Sequence, residues 1–309
     1  MIKDKEKNFV SAVVYIGENP ELVKPFLDMI NGQLGDNFEQ YEIICVNDAC
    51  RMTAEEVRGY SAHGNTSAPV TLVNMSVKQG VELCMNAGID ISIGDYVFEF
   101  DSMLMPYEPS LVFDCYKKGQ EGFDIVTATP KKKSRFTSRL FYNLFNASSH
   151  SEYKLVTDSF HLLSRRAINR LHAINPCMPY RKAAYAASGL RLVSVGYEPE
   201  GEFSAGREYR MTQAIDALAL YTNAAFKLSF GISFAMLLVA LFSVLYTVVI
   251  YIAGKPIEGW TTTMLLLSGG FFGVFLLFTF VIKYLSLIAD LVFRNQKYLV
   301  ESVEKIQYE

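Results

Sequence analysis

The sequence predicts an α/β domain on a mostly parallel sheet, followed by a C-terminal two-helix transmembrane hairpin. Three observations carry this. Apolar, β-branched segments alternate with helical patterns through the first part of the chain. Half of the 309 residues (50%) are hydrophobic, more than a soluble domain of this size needs. That excess is not spread evenly: Leu228 to Ile282 holds only Lys255 and Glu258 as charged residues.

In chain order, Phe9 to Ile16 is nearly all apolar and β-branched, the pattern of a strand buried on both faces, and a helix pattern runs from Pro20 to about Leu34. A second such strand is Tyr41 to Val46, and a third is Val70 to Asn74. His63 to Pro69, polar and loose, leads into the third. A helical stretch from about Gln79 to Ser92 is followed by a strand at Asp95 to Phe100, and Phe123 to Ala128 is another apolar strand. Strands alternating with helices predict a parallel, doubly wound arrangement.

Two uncharged runs close the chain, Leu228 to Ala253 and Trp260 to Ile282. At about 26 and about 23 residues, each crosses ~30 Å of hydrocarbon as a helix. Arg207, Arg210 and Lys227 precede the first run, and Lys283, Arg294 and Lys297 follow the second, so the positive-inside bias puts both ends in the cytoplasm. Tyr251 and Trp260 suit the far interface. The expected division is 1–210 as a cytoplasmic domain, 211–227 as an interfacial or last soluble-domain helix, spans at 228–253 and 260–282, and 283–309 as a cytoplasmic tail.

A net charge of −3 argues against a nucleic-acid binder, which needs a basic face to displace counterions. The cysteines at 45, 50, 84, 115 and 177 include no C-x-x-C pair, so neither a disulfide framework nor a structural zinc site is indicated, and a reducing compartment fits. The charged opening Met1-Ile-Lys-Asp-Lys-Glu-Lys lacks the apolar core of a signal peptide.

In such sheets ligands bind beyond the carboxyl ends of the strands. The polar residues there are Asn47 and Asp48 after the second strand and Asp101 after the fourth. Glu99 and Asp101 share a strand face if the strand persists, so together they either hold a hard divalent cation or form a salt bridge at a strand end. Lys131, Lys132, Lys133, Arg135 and Arg139 form the densest basic cluster, suited to a phosphate or anionic headgroups, or to a solvated helix start.

The order of these pieces resembles the polyisoprenyl-phosphate glycosyltransferases, family 2 enzymes of GT-A fold that include dolichol-phosphate mannose synthases and prophage-type glucosyl transferases. The similarity spans nearly the whole chain. It rests on Tyr41-Glu-Ile-Ile-Cys-Val-Asn-Asp48 (family YEIIFVDD), Gly80 through Gly94-Asp95-Tyr-Val, Asp101, Phe160-His-Leu-Leu-Ser-Arg165 (family FRLLSR), Gly206-Arg-Glu-Tyr209, and Lys297-Tyr298-Leu-Val-Glu301.

The resemblance implies transfer of a sugar from a nucleotide-sugar donor to a polyisoprenyl phosphate lipid at the membrane, with Mg²⁺ or Mn²⁺ at the diphosphate. It implies catalysis by Asp158 and Asp101, donor binding by Tyr15, Asn47, Asp48, Lys78, Asp101 and Ser102, and acceptor or phosphate binding by Arg135 and Arg207. Asp101 with Glu99 is the implied metal pair, and self-association is expected. Departures fall on the catalytic motifs. The family's DAD is here Asp101-Ser102-Met103, with a thioether unfit for a hard cation in place of the second acid. Its VDDGS is Val46-Asn47-Asp48-Ala49-Cys50, and its GDFR is Asp158-Ser159-Phe160-His161. A second expectation therefore stands beside the first: an impaired relative acting as partner or regulator of other envelope-glycan enzymes.

Overall fold

The computed structural model describes residues 5–17, 19–50, 56–57, 69–131, 153, 157–174, 178, 180–199, 224–254, 259–294 and 298–306. The chain divides into two compact units. The first takes in Met1–Gln213 and Arg294–Glu309, and the second is Ala214–Phe293.

The first unit is a mixed eight-stranded sheet with helices on both faces. Its strands are β1 (Val10–Ile16), β2 (Tyr41–Asn47), β3 (Val70–Met75), β4 (Tyr96–Phe100), β5 (Ile125–Pro130), β6 (Phe160–Ser164), β7 (Leu192–Tyr197) and β8 (Val300–Ile306), in spatial order 7-5-6-4-1-2-3-8. Its helices are α1 (Val23–Asn37), α2 (Val81–Ile91), α3 (Leu111–Gln120), α4 (Arg165–Ile174) and α5 (Arg181–Ala187). β4, β1, β2 and β3 run parallel, as the alternation predicts. β6 lies antiparallel to both β4 and β5, and β8 antiparallel to β3, so the sheet is mostly rather than wholly parallel.

The period of two along β1 sorts its side chains onto two cores. Val10, Ala12, Val14 and Ile16 join Phe26 and Ile30 of α1 and Val112 and Tyr116 of α3, whereas Val13 packs with Cys84, Met85 and Ala87 of α2. Here α2 lies hard against the sheet. A Cβ on Gly88 would come within 2.3 Å of Val13 Cγ1 and 2.8 Å of Val46 Cγ2, so glycine is what permits the close approach.

β8 is the largest difference from the sequence-based expectation, which assigns 283–309 only a tail. Its residues, Val300-Glu-Ser-Val-Glu-Lys-Ile306, are mostly polar and exposed, with Ile306 buried at its end, a composition that suits an edge strand open to solvent. Ser302 and Glu304 both accept hydrogen bonds from Asn74 of β3, each at 2.9 Å.

The second unit is a pair of helices, α6 (Ala224–Ala253) and α7 (Trp260–Arg294). Gly231–Ile252 and Trp260–Ile282 are long and apolar enough to cross a membrane. Their apolar side chains point outward, Phe242 69% and Leu266 74% exposed. Thr247 donates to the Ser243 carbonyl and Thr279 to that of Phe275 within their own helices, and Ser268 Oγ donates to Ser243 Oγ across the pair at 3.0 Å. Of the interfacial segment proposed for 211–227, residues 211–223 lie outside the described residues.

Candidate active site

The carboxyl ends of β1, β2 and β4 meet along one edge of the sheet, and two groups of polar side chains gather there.

The first is centred on Asp48, just past β2 and 2% exposed. Its carboxylate accepts from the Tyr15 hydroxyl at 2.8 Å, the Gln79 backbone N–H at 2.7 Å and the Gly80 N–H at 3.0 Å. Gly80, at φ 83°, caps the start of α2, and only glycine takes that backbone conformation without strain. Thus Asp48 ties β2 to the N-cap of α2 and the residue before it, and the expected donor residues Tyr15 and Asp48 are in direct contact. Asn47 turns the other way: its amide donates to Asn74 Oδ1 at 2.9 Å and to the Cys50 carbonyl at 3.1 Å, and its Oδ1 accepts from the Cys50 N–H. Lys78 is exposed on the loop before α2.

The second group surrounds Asp101, just past β4. Its organiser is Arg181, 1% exposed at the start of α5 and absent from the sequence-based expectation. The guanidinium donates to Glu82 Oε2 at 2.9 Å, Glu99 Oε2 at 3.1 Å and Asp101 Oδ1 at 2.6 Å, so three carboxylates from α2, β4 and the β4 end converge on one cation. Tyr185, one turn along α5, donates to Glu99 Oε1 at 2.6 Å. The next residue, Lys182, pairs with Asp158 and lies 3.8 Å from Asp101 Oδ2. Asp158 also meets His161 Nε2 at 2.9 Å, and the other ring nitrogen sits 3.8 Å from Glu99, beyond hydrogen-bond reach.

Charge compensation follows from these contacts. Burial would push the Asp158 carboxyl up, but Lys182 and His161 outweigh it and hold the group well below the usual carboxylate range. Burial likewise opposes protonation of His161, and Asp158 overcomes it, so the imidazole is raised above its ordinary value. For Asp101, Arg181 and Lys182 together exceed the cost of burial and lower the acid, whereas Glu99, fully buried, is raised by desolvation despite Arg181.

The expected metal pair thus meets a guanidinium. Both Glu99 oxygens are engaged, by Tyr185 and Arg181, and one Asp101 oxygen is taken by Arg181. Met103 is buried in the apolar core beside Tyr107 and Phe160 rather than among the acids. Among the described residues no group of three or more His, Cys, Asp or Glu side chains is arranged to hold a metal ion. These residues do not fit a hard divalent cation bound by the Glu99–Asp101 pair. Ser102 is half-buried next to Asp101, its hydroxyl accepting from the Leu104 N–H at 3.3 Å. Arg135 and Arg207, expected to bind the acceptor, lie outside the described residues.

Glu82 and His161 sit in motifs that the sequence comparison quotes, but nothing in the sequence joins them to Arg181-Lys182, which reads as an ordinary basic pair opening a helix. The contact is long-range, and only the fold makes it.

A mixed, mostly parallel sheet with acids collected beyond β4 is a GT-A-like architecture. A mannosyltransferase of Pyrobaculum calidifontis, solved with GDP-mannose and Mn²⁺, shares it at TM-score 0.52 and 16% identity, covering 93% of this chain and 87% of that one. Glucosyl-3-phosphoglycerate synthase of Mycobacterium tuberculosis, solved with Mn²⁺, UDP-glucose and phosphoglyceric acid, gives TM-score 0.50 at 12% identity over 69% of this chain and 78% of that one. In sequence, the chain is 26% identical over 285 residues to an uncharacterized glycosyltransferase of Synechocystis, 87% of each chain. It is also 26% identical over 165 residues to CsbB of Bacillus subtilis, which carries a glycosyltransferase name, over 51% of this chain and 49% of that protein. No protein-family model matches the chain. Together the relatives and the fold support a transferase of the glycosyltransferase class.

Proposed function

We propose that the protein transfers a sugar from a nucleotide-sugar donor to a polyisoprenyl phosphate at a membrane surface. The observation that carries the reading is the convergence of Asp101, Asp158, Lys182 and Arg181 beyond the carboxyl end of β4, where α/β sheets bind their ligands. In this reaction an acceptor phosphate oxygen forms a bond to the anomeric carbon as the bond from that carbon to the diphosphate breaks, and the nucleoside diphosphate leaves with the electron pair. A phosphate monoester is already an anion near neutral pH, so no general base is required. The protein's tasks are positioning and stabilising the departing charge.

In this reading Asp48 and Tyr15 stand toward the nucleotide, Asp101 and Ser102 toward the diphosphate, and Asp158 toward the acceptor. Arg135 and Arg207 are assigned to the acceptor phosphate. The two apolar helices serve as the anchor, with the sheet unit and both ends of the chain on the cytoplasmic side, as the flanking cations suggest. Buried cations held by strand-end acids also suit a donor site more than a pure partner surface, since a partner surface has no need for them.

The test is transfer of radiolabel from UDP-glucose, GDP-mannose and related donors to undecaprenyl or dolichyl phosphate by the full-length protein in detergent, scored in the organic phase. Lipid-linked label that falls about a hundredfold or more in Asp101→Asn is the expected result. Label that reaches only water-soluble acceptors removes the lipid from the proposal.

A further inference from the structure

We propose that Lys182 is the cation that meets the donor's diphosphate, so that this protein binds its nucleotide without a divalent metal. The inference rests on the donor reading above and assigns the charge-bearing group within it.

Four observations point to Lys182. First, the hard oxygen donors beyond β4 already serve internal cations: Arg181 is shared by Glu82, Glu99 and Asp101, and Asp158 is shared by Lys182 and His161. A metal at this place would have to displace a guanidinium that is 1% exposed and held by three acids. Second, the two consecutive cations differ in access. Arg181 is sealed inside, whereas Lys182 is 19% exposed and borders Asp101, itself 20% exposed, so the ammonium belongs to the solvent-facing end of the cluster. Third, the loss of a ligand and the presence of a cation coincide. The position where the resembled aspartate motif has its second acid is Met103, turned into the apolar core, and Lys182 stands by the remaining acid. Fourth, the two side chains differ in adaptability. An arginine fork spread over three acids is locked, while a lysine ammonium is a point charge on a flexible stem with three donors, able to share a new oxyanion with Asp158 by a small swing.

The step is an exchange of ion-pair partners, with no proton or electron moved. Lys182 turns one or more of its N–H donors from Asp158 to a diphosphate oxygen, and His161 remains on Asp158. The formal charges bound the effect: four carboxylates stand against Arg181, Lys182 and a protonatable His161. The cluster therefore offers a diphosphate one ammonium rather than a strongly positive basin. The loss on removing it is that of one charge-assisted hydrogen bond, about tenfold to a hundredfold in Kd.

The experiment is calorimetric titration of UDP and of GDP into full-length, detergent-purified protein, in EDTA and in excess MnCl₂, for the native chain, Lys182→Met and Lys182→Arg. Thermal unfolding of each variant confirms that it is folded. The expected result is that one of the diphosphates binds the native protein with the same affinity in EDTA and in Mn²⁺. Lys182→Met then weakens that binding about tenfold to a hundredfold, and Lys182→Arg restores part of it. Binding that disappears in EDTA and returns with Mn²⁺ leaves the donor reading intact and overturns metal independence. Binding in EDTA that a folded Lys182→Met leaves unchanged overturns the role of Lys182. No binding of either diphosphate in either condition overturns the donor reading and this inference with it.

Discussion

Asp48 and Asp101 occupy equivalent places, each just past the carboxyl end of a parallel strand, yet their partners are opposite in kind. Asp48 is held by three neutral donors, a phenol and two backbone N–H groups. Asp101 is held by a buried guanidinium and faced by an ammonium. Neutral donors fix a carboxylate's position and leave its charge intact, so Asp48 works as a brace between β2 and α2. Cations cancel the charge as they bind, so the Asp101 cluster is an electrostatic assembly whose members depend on one another. The first arrangement is expected to lose less than the second when one member is removed.

The largest expected effect follows from that dependence. Arg181→Leu strands Glu82, Glu99 and Asp101 without their shared cation and is expected to cost about 3–5 kcal/mol, read as a lowered denaturation midpoint of the purified protein. A midpoint within error of the native value would show that the three acids do not rely on Arg181.

A smaller effect is expected from pH. Asp158 is depressed in the folded state, so its contribution is complete above the ordinary carboxylate value of 3.8 and is lost as pH falls through the lower folded value. His161 is raised, so its contribution is complete below its ordinary 6.5 and fades as pH climbs through the higher folded value. Stability from this pair is therefore greatest between those limits, and Asp158→Asn is expected to flatten both flanks of the thermal-stability profile. An unchanged profile in that variant would separate the pair from the protein's acid and base sensitivity.

On the other side of the comparison, Asp48→Ala removes an acceptor from the Gln79 and Gly80 N–H groups and from Tyr15 and is expected to cost about 1–3 kcal/mol. Tyr15→Phe, which deletes one of the three bonds, is expected to cost about 0.5–1.5 kcal/mol with no change in pH dependence. If Tyr15→Phe proved as damaging as Arg181→Leu, the distinction between brace and electrostatic assembly would collapse.

What could be seen in the sequence follows the same division. β1, β2 and β4 were legible because strands buried on both faces are continuous apolar runs, and each observed boundary falls within a residue or two of the expected one. The helix at Leu111–Gln120 is amphipathic but short, and β7 is half-exposed, so neither forms a continuous apolar run that marks it in the sequence. β6 appears in the sequence only as the quoted Phe160-His-Leu-Leu-Ser motif, and its antiparallel pairing with β4 and β5 is a property of the assembled sheet. In the site, Asp48 and Asp101 were visible because strand ends are marked by the strands themselves. Arg181 and Lys182 were not, because a cation reveals its role only through acids brought to it from α2, β4 and the β5–β6 connection.

The pairing of β8 with β3 sets an order of assembly. β3 is made well before α6 and α7 and β8 after them, so a nascent chain carries β3 as an open edge, with the N–H and C=O groups on its β8-facing side unpaired, until both helices have been synthesised. Chains stopped within α6 or α7 keep that edge exposed, and strand-to-strand aggregation is their expected fate. Completion of the sheet thus waits on synthesis of both apolar helices: its edge is closed only in a chain that has already made α6 and α7.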